Sequence, residues 1–341
     1  MPDALTITRD DVAYAYRLLL GRMPESEAVY ADGLSTGSLE ALRRRILDGP
    51  EFVRALKRDT PARLRRLVLQ DALEGETSER ADTMEAESTM PPRIVFLHIM
   101  KTAGTSLRNR LEAALPDALI WRHETQGRPG DVDISTLLPY RAFVGHFNFA
   151  DAWHVPRPRR IFTVLREPRE RILSLYHYLA RHREDQAEAR NMRSAIIARR
   201  STLAQFLRHQ DLEVRESLQN HMTCRLAGDY RPIGKNRYVA SWQDASAAIN
   251  GPTLLRMAIN NLAKLDFVTT VERLELDRSR LMHVLGLPDL GPLPRDNTQH
   301  LISKVLELRA MPEPGPEEQK ELFRLTELDR MLYRLVQLDK G

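Results

Sequence analysis

Residues 93–107 constrain this chain more than any other stretch. Ile94, Val95, Phe96, Leu97 and Ile99 form a short apolar run rich in β-formers, the pattern of a strand covered on both faces. A turn follows through Met100, Lys101, Thr102, Ala103 and Gly104, and Thr105, Ser106 and Leu107 open a helix. Strand, phosphate-sized turn and helix N-terminus in that order is how many α/β proteins hold an anionic ligand. The first amides of a helix lack backbone partners, and the helix dipole adds partial positive charge there. Gly104 lets the backbone approach an anion closely. Lys101 can neutralise its charge, and the hydroxyls of Thr102, Thr105 and Ser106 can donate to it. The plainer alternative is a turn that only caps its own helix.

From residue 93 onward, strands and helices alternate. Residues 118–121, 142–144, 161–165 and 267–271 read as further strands. Helices are expected over 105–115, from Pro168 to about residue 183, and over 277–285. Leu322, Leu325, Leu328, Leu332 and Leu335 predict one closing helix over 317–338. The expectation is an α/β fold, a P-loop-like parallel sheet flanked by helices, preceded by a small all-α domain. That domain spans 1–73. Thr8 with Asp11 makes an N-cap and its acidic partner, Pro24 suits the first turn of a second helix, and Ser38 can cap a third. Residues 74–92 are acidic and close on Pro91 and Pro92, so they read as a solvated linker to a domain over 93–341.

Composition excludes several classes. Lys and Arg exceed Asp and Glu by 51 to 47, too small an excess at 341 residues to suggest a nucleic-acid coat. The single cysteine, Cys224, rules out an internal disulfide and a cysteine-based metal cluster. No stretch approaches the roughly 20 apolar residues of a membrane span, and residues 1–11 carry no apolar run suited to a signal sequence. A cytoplasmic protein is expected. Residues 184–200 are densely charged; a solvated helical face and a lid or acceptor-binding segment are the two readings. No H-E-x-x-H, C-x-x-C or G-x-S-x-G pattern occurs.

The turn is not the G-x-x-x-x-G-K-[ST] loop of nucleoside triphosphatases: it holds one glycine, and Lys101 precedes it. Leu97-His98-Ile99-Met100-Lys101-Thr102-Ala103-Gly104-Thr105-Ser106-Leu107 instead resembles the 5′-phosphosulfate loop of sulfotransferases that use 3′-phosphoadenosine 5′-phosphosulfate (PAPS). The group most resembled contains the uronyl 2-O-sulfotransferases and their bacterial relatives. Proline usually stands there in place of Met100. Thr163-Val164-Leu165-Arg166-Glu167-Pro168-Arg169-Glu170-Arg171-Ile172-Leu173-Ser174-Leu175-Tyr176 resembles the family's 3′-phosphate segment. An arginine at a strand exit brings a forked donor set, and Ser174 adds a hydroxyl from the helix. Without the first loop, these two would read as an ion-pair residue and a helix-face residue. Gly145-His146-Phe147 resembles the segment that supplies the family's catalytic histidine, though the second histidine usual two residues earlier is here Val144.

The resemblance implies sulfuryl transfer from PAPS to a hydroxyl, most simply on a carbohydrate, with no metal required. Lys101, Thr102, Ala103, Gly104, Thr105 and Ser106 would hold the phosphosulfate, and Arg166 and Ser174 the 3′-phosphate. His146 would be the base, its alternative being a structural strand-end histidine. Pro294-Arg295-Asp296-Asn297-Thr298 resembles a loop covering the nucleotide, with Arg295 a candidate second phosphate ligand. Weaker likenesses run through 219–228, 267–274 and the closing helix. His98 reads as a structural residue inside the first strand. The turn at 18–22, with Pro24 and Pro50-Glu51-Phe52, resembles a small bacterial helical module of unknown function; an unrelated interaction domain is the alternative, and this bundle is where a protein partner would dock. Two other functions stay open on the residues alone. One is an ATP-dependent, kinase-like P-loop enzyme, the other a non-catalytic nucleotide-binding scaffold.

Overall fold

Backbone proximity divides the chain into two units, residues 1–73 with 337–341 and residues 74–336. The structure, a computed structural model, describes residues 7–20, 22–38, 41–42, 45–46, 51, 91–289, 291–292 and 313–338. In the first unit these comprise α1 (Arg9–Leu20), α2 (Glu27–Leu34) and a turn beginning at Ser38. Thr8 and Asp11 cap each other's backbone amides as expected. The cap of α2 is Ser26 rather than a start at Pro24, because the serine oxygen takes the Val29 amide. Ser38 Oγ accepts from the Ala41 amide at 3.1 Å. The rest of the expected bundle, and the expected linker before Pro91, lie outside the described residues.

In the second unit the apolar run becomes β1 (Arg93–Leu97), buried along its whole length. The other strands of its sheet are β2 (Ile120–Arg122), β3 (Ala142–Gly145), β4 (Arg159–Leu165) and, last in the chain, β8 (Phe267–Thr270). The order is β2-β3-β1-β4-β8 and every pairing is parallel. Alternation along the strands sorts the core by face. Val95, Leu97, Phe143, Ile161 and Leu165 join Met222, Leu254 and Leu332. Ile94, Phe96, Val144, Phe162 and Val164 join Leu107, Leu111 and Leu281. Phe96 and Phe162 are register partners, and their rings stack 4.6 Å apart.

The helices that matter below are α3 (Gly104–Ala114), α4 (Pro168–Ala180), α5 (His221–Ala227), α6 (Gly251–Leu262), α7 (Leu274–Leu285), α8 (Pro316–Leu325) and α9 (Glu327–Leu338). The charged segment after α4 forms helices Glu184–Ala189 and Arg193–Arg200, which bury Ala187, Ala195 and Ala198 and pair Arg200 with Glu184 and Glu188 outside. A small antiparallel sheet of β5 (Tyr230–Gly234), β6 (Arg237–Ala240) and β7 (Ile249–Asn250) was not legible. Its strands are short, and β5 contains Pro232 and an irregular register. No described helix is long and apolar enough to cross a membrane.

The closing segment is two helices, not one. Thr326 turns its hydroxyl back to the Leu322 carbonyl at 2.7 Å, and the chain breaks there. Asn220, in left-handed backbone at φ 48°, fills the gap. Its amide donates to the Leu325 carbonyl at 2.8 Å, and its side-chain oxygen accepts from the Leu328 and Asp329 amides at 2.8 and 3.3 Å. Asp329 reciprocates by accepting from the Met222 and Thr223 amides at 3.2 and 2.8 Å and from the Thr223 hydroxyl. Each of α5 and α9 thus has its first turn satisfied by a side chain of the other. Replacing Asn220→Ala leaves the buried Leu328 and Asp329 amides without this acceptor, takes the side-chain donor from the Tyr238 hydroxyl, and puts alanine where the backbone is left-handed. Denaturant unfolding should register a loss of about 2 kcal/mol or more. An unchanged midpoint would show that this clasp does not hold the closing helix.

Candidate active site

β1 and β4 are neighbours whose connections diverge. The chain leaves β1 through α3 toward β2 at one edge, and leaves β4 toward β8 at the other. The crevice beyond their carboxyl ends is a topological switch point, where open parallel sheets bind ligands. Lys101 follows β1, Arg166 follows β4, and His146 follows β3 on the other side of β1.

The turn after β1 is tight. Lys101 (φ 68°) and Ala103 (φ 61°) both adopt left-handed backbone although neither is glycine. Each such residue costs about 1–3 kcal/mol, and such strain gathers at ligand sites. Thr102 between them is wholly buried and donates its hydroxyl to the Ile99 carbonyl at 2.8 Å. Its hydroxyl therefore ties the turn together. Ala103 gives α3 no side-chain cap, and the first turn contains no acid. Thr105 is exposed, Ser106 half-buried, and neither hydroxyl has a partner among the described residues. The helix start is left open for an anion.

The second segment is built differently. α4 is capped by Glu167, whose carboxylate accepts from the Glu170 amide at 2.8 Å, with Pro168 next in line. Its contribution is therefore side chains rather than free amides. Arg166 reaches the turn, donating from Nη1 to the Lys101 carbonyl at 3.4 Å. Ser174 is half-buried with its hydroxyl unpartnered among the described residues. One helical turn beyond Ser174, the Tyr178 ring lies under Lys101, with Nζ 4.1 Å from its centroid. Neither Lys101 nor Arg166 has a carboxylate partner among the described residues. Burial and the nearby Arg166 charge lower the Lys101 pKa to about 8.

His146 leads directly out of the sheet. Gly145 permits this, because a Cβ there would stand 2.3 Å from the Cβ of His123. Nδ1 of His146 lies 3.2 Å from the His98 carbonyl. A carbonyl only accepts, so Nδ1 carries the proton and Nε2 keeps its lone pair. His146 touches solvent, yet the surrounding protein desolvates it and lowers its pKa. Desolvation thus favours the neutral form, the form a general base needs.

His98, read from the sequence as structural, has contacts at this corner that the sequence does not show. It lies one position beyond β1 rather than inside it. Its ring stacks on Phe96 at 5.1 Å and tilts against the His146 ring at 4.4 Å. A Cβ on Gly104 would stand 1.6 Å from its Nε2, so the glycine of the turn makes room for this imidazole as well as for a ligand. No spacing in the chain signals the contact, since it depends on β1 and β3 being neighbours. Tyr178 had a signal, four residues after Ser174 on the same helix. Arg171, in the same segment, is wholly buried and donates to the Ser217 carbonyl at 2.8 Å. The structure therefore joins Lys101 with Arg166, and His146 with the Gly104 turn through His98. Arg295 lies outside the described residues.

The lysine sets a pH signature. Lys101 is protonated below about pH 8 and loses its charge above it. Binding of a diphosphate probe should hold steady through pH 7 and weaken from pH 8 to 9, while Lys101→Arg should stay flat. Calorimetric affinities that do not change for the unmodified protein across that window would place the anion away from Lys101.

No curated protein matches the chain. Residues 89–339, which include the whole of the sheet and every described residue of this site, match the Sulfotransferase family, and the chain belongs to that family.

Proposed function

We propose that this protein moves a sulfuryl group from PAPS to a hydroxyl on a carbohydrate. The observation that carries the reading is the pair Lys101 and Arg166, two cations at an uncapped helix start, with the Arg166 guanidinium donating to the Lys101 backbone carbonyl at 3.4 Å. Both are half-buried, and a partly desolvated cation without a counter-charge is costly until an anion completes it. PAPS brings a phosphosulfate at one end and a 3′-phosphate near the other. The carbohydrate acceptor rests on the likeness of residues 97–107, 145–147 and 163–176 to the carbohydrate 2-O-sulfotransferases.

In this reading the amides of Ala103 and Gly104, the Thr105 and Ser106 hydroxyls and the Lys101 ammonium hold the 5′-phosphosulfate. Thr102 serves through its backbone, its hydroxyl being committed to Ile99. Arg166 and Ser174 hold the 3′-phosphate. Nε2 of His146 takes the proton of the acceptor hydroxyl as that oxygen attacks sulfur. The bond between sulfur and the 5′-phosphate oxygen breaks, and the leaving phosphate keeps its electron pair. Lys101 neutralises the charge growing there. Adenosine 3′,5′-bisphosphate and the sulfated acceptor are the products.

Adenosine 3′,5′-bisphosphate should bind without added metal, and Lys101→Ala or Arg166→Ala should each weaken it about tenfold or more. Tight binding of ATP with Mg²⁺ and none of the bisphosphate would sink the reading. His146→Ala should lower kcat about 10²- to 10⁴-fold with bisphosphate affinity unchanged. Sulfate transfer from labelled PAPS to a panel of glycan, lipid and protein hydroxyls tests the acceptor; label entering only lipid or protein would refute the carbohydrate assignment.

A further inference from the structure

Two imidazoles meet at a 31° tilt beyond the carboxyl ends of two neighbouring strands, one from each. Register pairs Leu97 with Gly145, so His98 and His146 are the next residues along one parallel ladder. The His98 amide still donates to the Gly145 carbonyl at 3.3 Å. The His98 ring is fixed from below by Phe96 at 5.1 Å and from the side by the Cα of Gly104. Its free face meets the His146 ring at 4.4 Å. Neither ring nitrogen of His98 has a hydrogen-bond partner among the described residues, so hydrogen bonding does not explain its place.

We propose that His98 is a positioning residue for His146: its imidazole, laid on Gly104 and Phe96, holds the ring of the base at the end of β3 and keeps water from that face. The inference rests on the reading of His146 as the base. The carbonyl of His98 selects the tautomer, and the ring of the same residue sets the orientation. One residue thereby ties the phosphosulfate turn to the proton acceptor, so that the two halves of the reaction are built on one rigid corner.

Electrostatics agree with this placement. The charged and titratable groups around His146 are His98 from the β1 turn, His123 and Glu124 from the one-turn helix His123–Gln126, and Arg225 and His221 from α5. Around His98 they are His146, Arg108 on α3 and Lys101. Burial first, and then His146, Arg108 and Lys101, hold His98 well below the ordinary histidine range. The ring acts as a neutral body, and its shape is what the base feels.

The test follows the imidazole signals of His146 by NMR titration in the full chain, assigned with His146→Gln, beside kinetics. His98→Ala opens the stacked face to water. The His146 pKa should then rise toward the ordinary value, the acid limb of the kcat profile should rise with it, and kcat should fall about 10- to 100-fold. Bisphosphate affinity should stay within about twofold. His98→Phe restores the ring body and should restore both the titration and most of the rate. An unchanged His146 titration in His98→Ala overturns the proposal, as does a His98→Phe protein as impaired as His98→Ala. Absence of bisphosphate binding by the unmodified protein would instead remove the donor reading, and the titration would still judge His98.

Discussion

The site depends on the divergence of the connections leaving β1 and β4. Both strands are buried on both faces, so they can only lie side by side within the sheet, and their parallel pairing carries both carboxyl ends to one edge. One chain path turns toward β2 and the other toward β8, the divergence at which open parallel sheets form a ligand crevice. The two cations stand on its rims. Thr163 sends its buried hydroxyl to the Leu97 carbonyl at 2.8 Å, which locks the two rims in register just below them.

Several arginines outside this corner have carboxylate partners. Arg128 is held by Asp151 and Asp229, Arg225 by Asp229, and Arg108 by Glu112 and Glu124. Those pairs are settled within the protein. Lys101 has no carboxylate partner among the described residues; it meets the Tyr178 face and the repulsion of Arg166, in a turn carrying two left-handed non-glycine residues. Stability is given up at this corner, and the anion proposed to bind there would recover it. The contrast between the capped start of α4 and the open start of α3 points the same way. One helix start is capped by its own carboxylate, and the other is where the proposed phosphosulfate would bind.

Much of this was legible in the sequence because the signals are local. The apolar run before Lys101, the single glycine after it and the Arg166-to-Ser174 spacing each belong to one strand–turn–helix unit. What escaped is what only pairing creates. His98 meets His146 through the β1–β3 register, and Asn220 and Asp329 cap one another's helices across about a hundred residues of chain. The periodicity of leucines ran unbroken through Thr326, since a hydrophobic stripe does not report a hydroxyl turned back on the backbone. Thr102 was read by its side chain as a ligand donor, whereas burial commits that hydroxyl to the turn.

A crystal structure with adenosine 3′,5′-bisphosphate bound is the most direct test of the central claim. The 5′-phosphate should sit at the start of α3 against Lys101, with Thr105 and Ser106 in reach, and the 3′-phosphate should lie between Arg166 and Ser174. A nucleotide bound elsewhere, or seated with those two phosphates exchanged, would contradict the account.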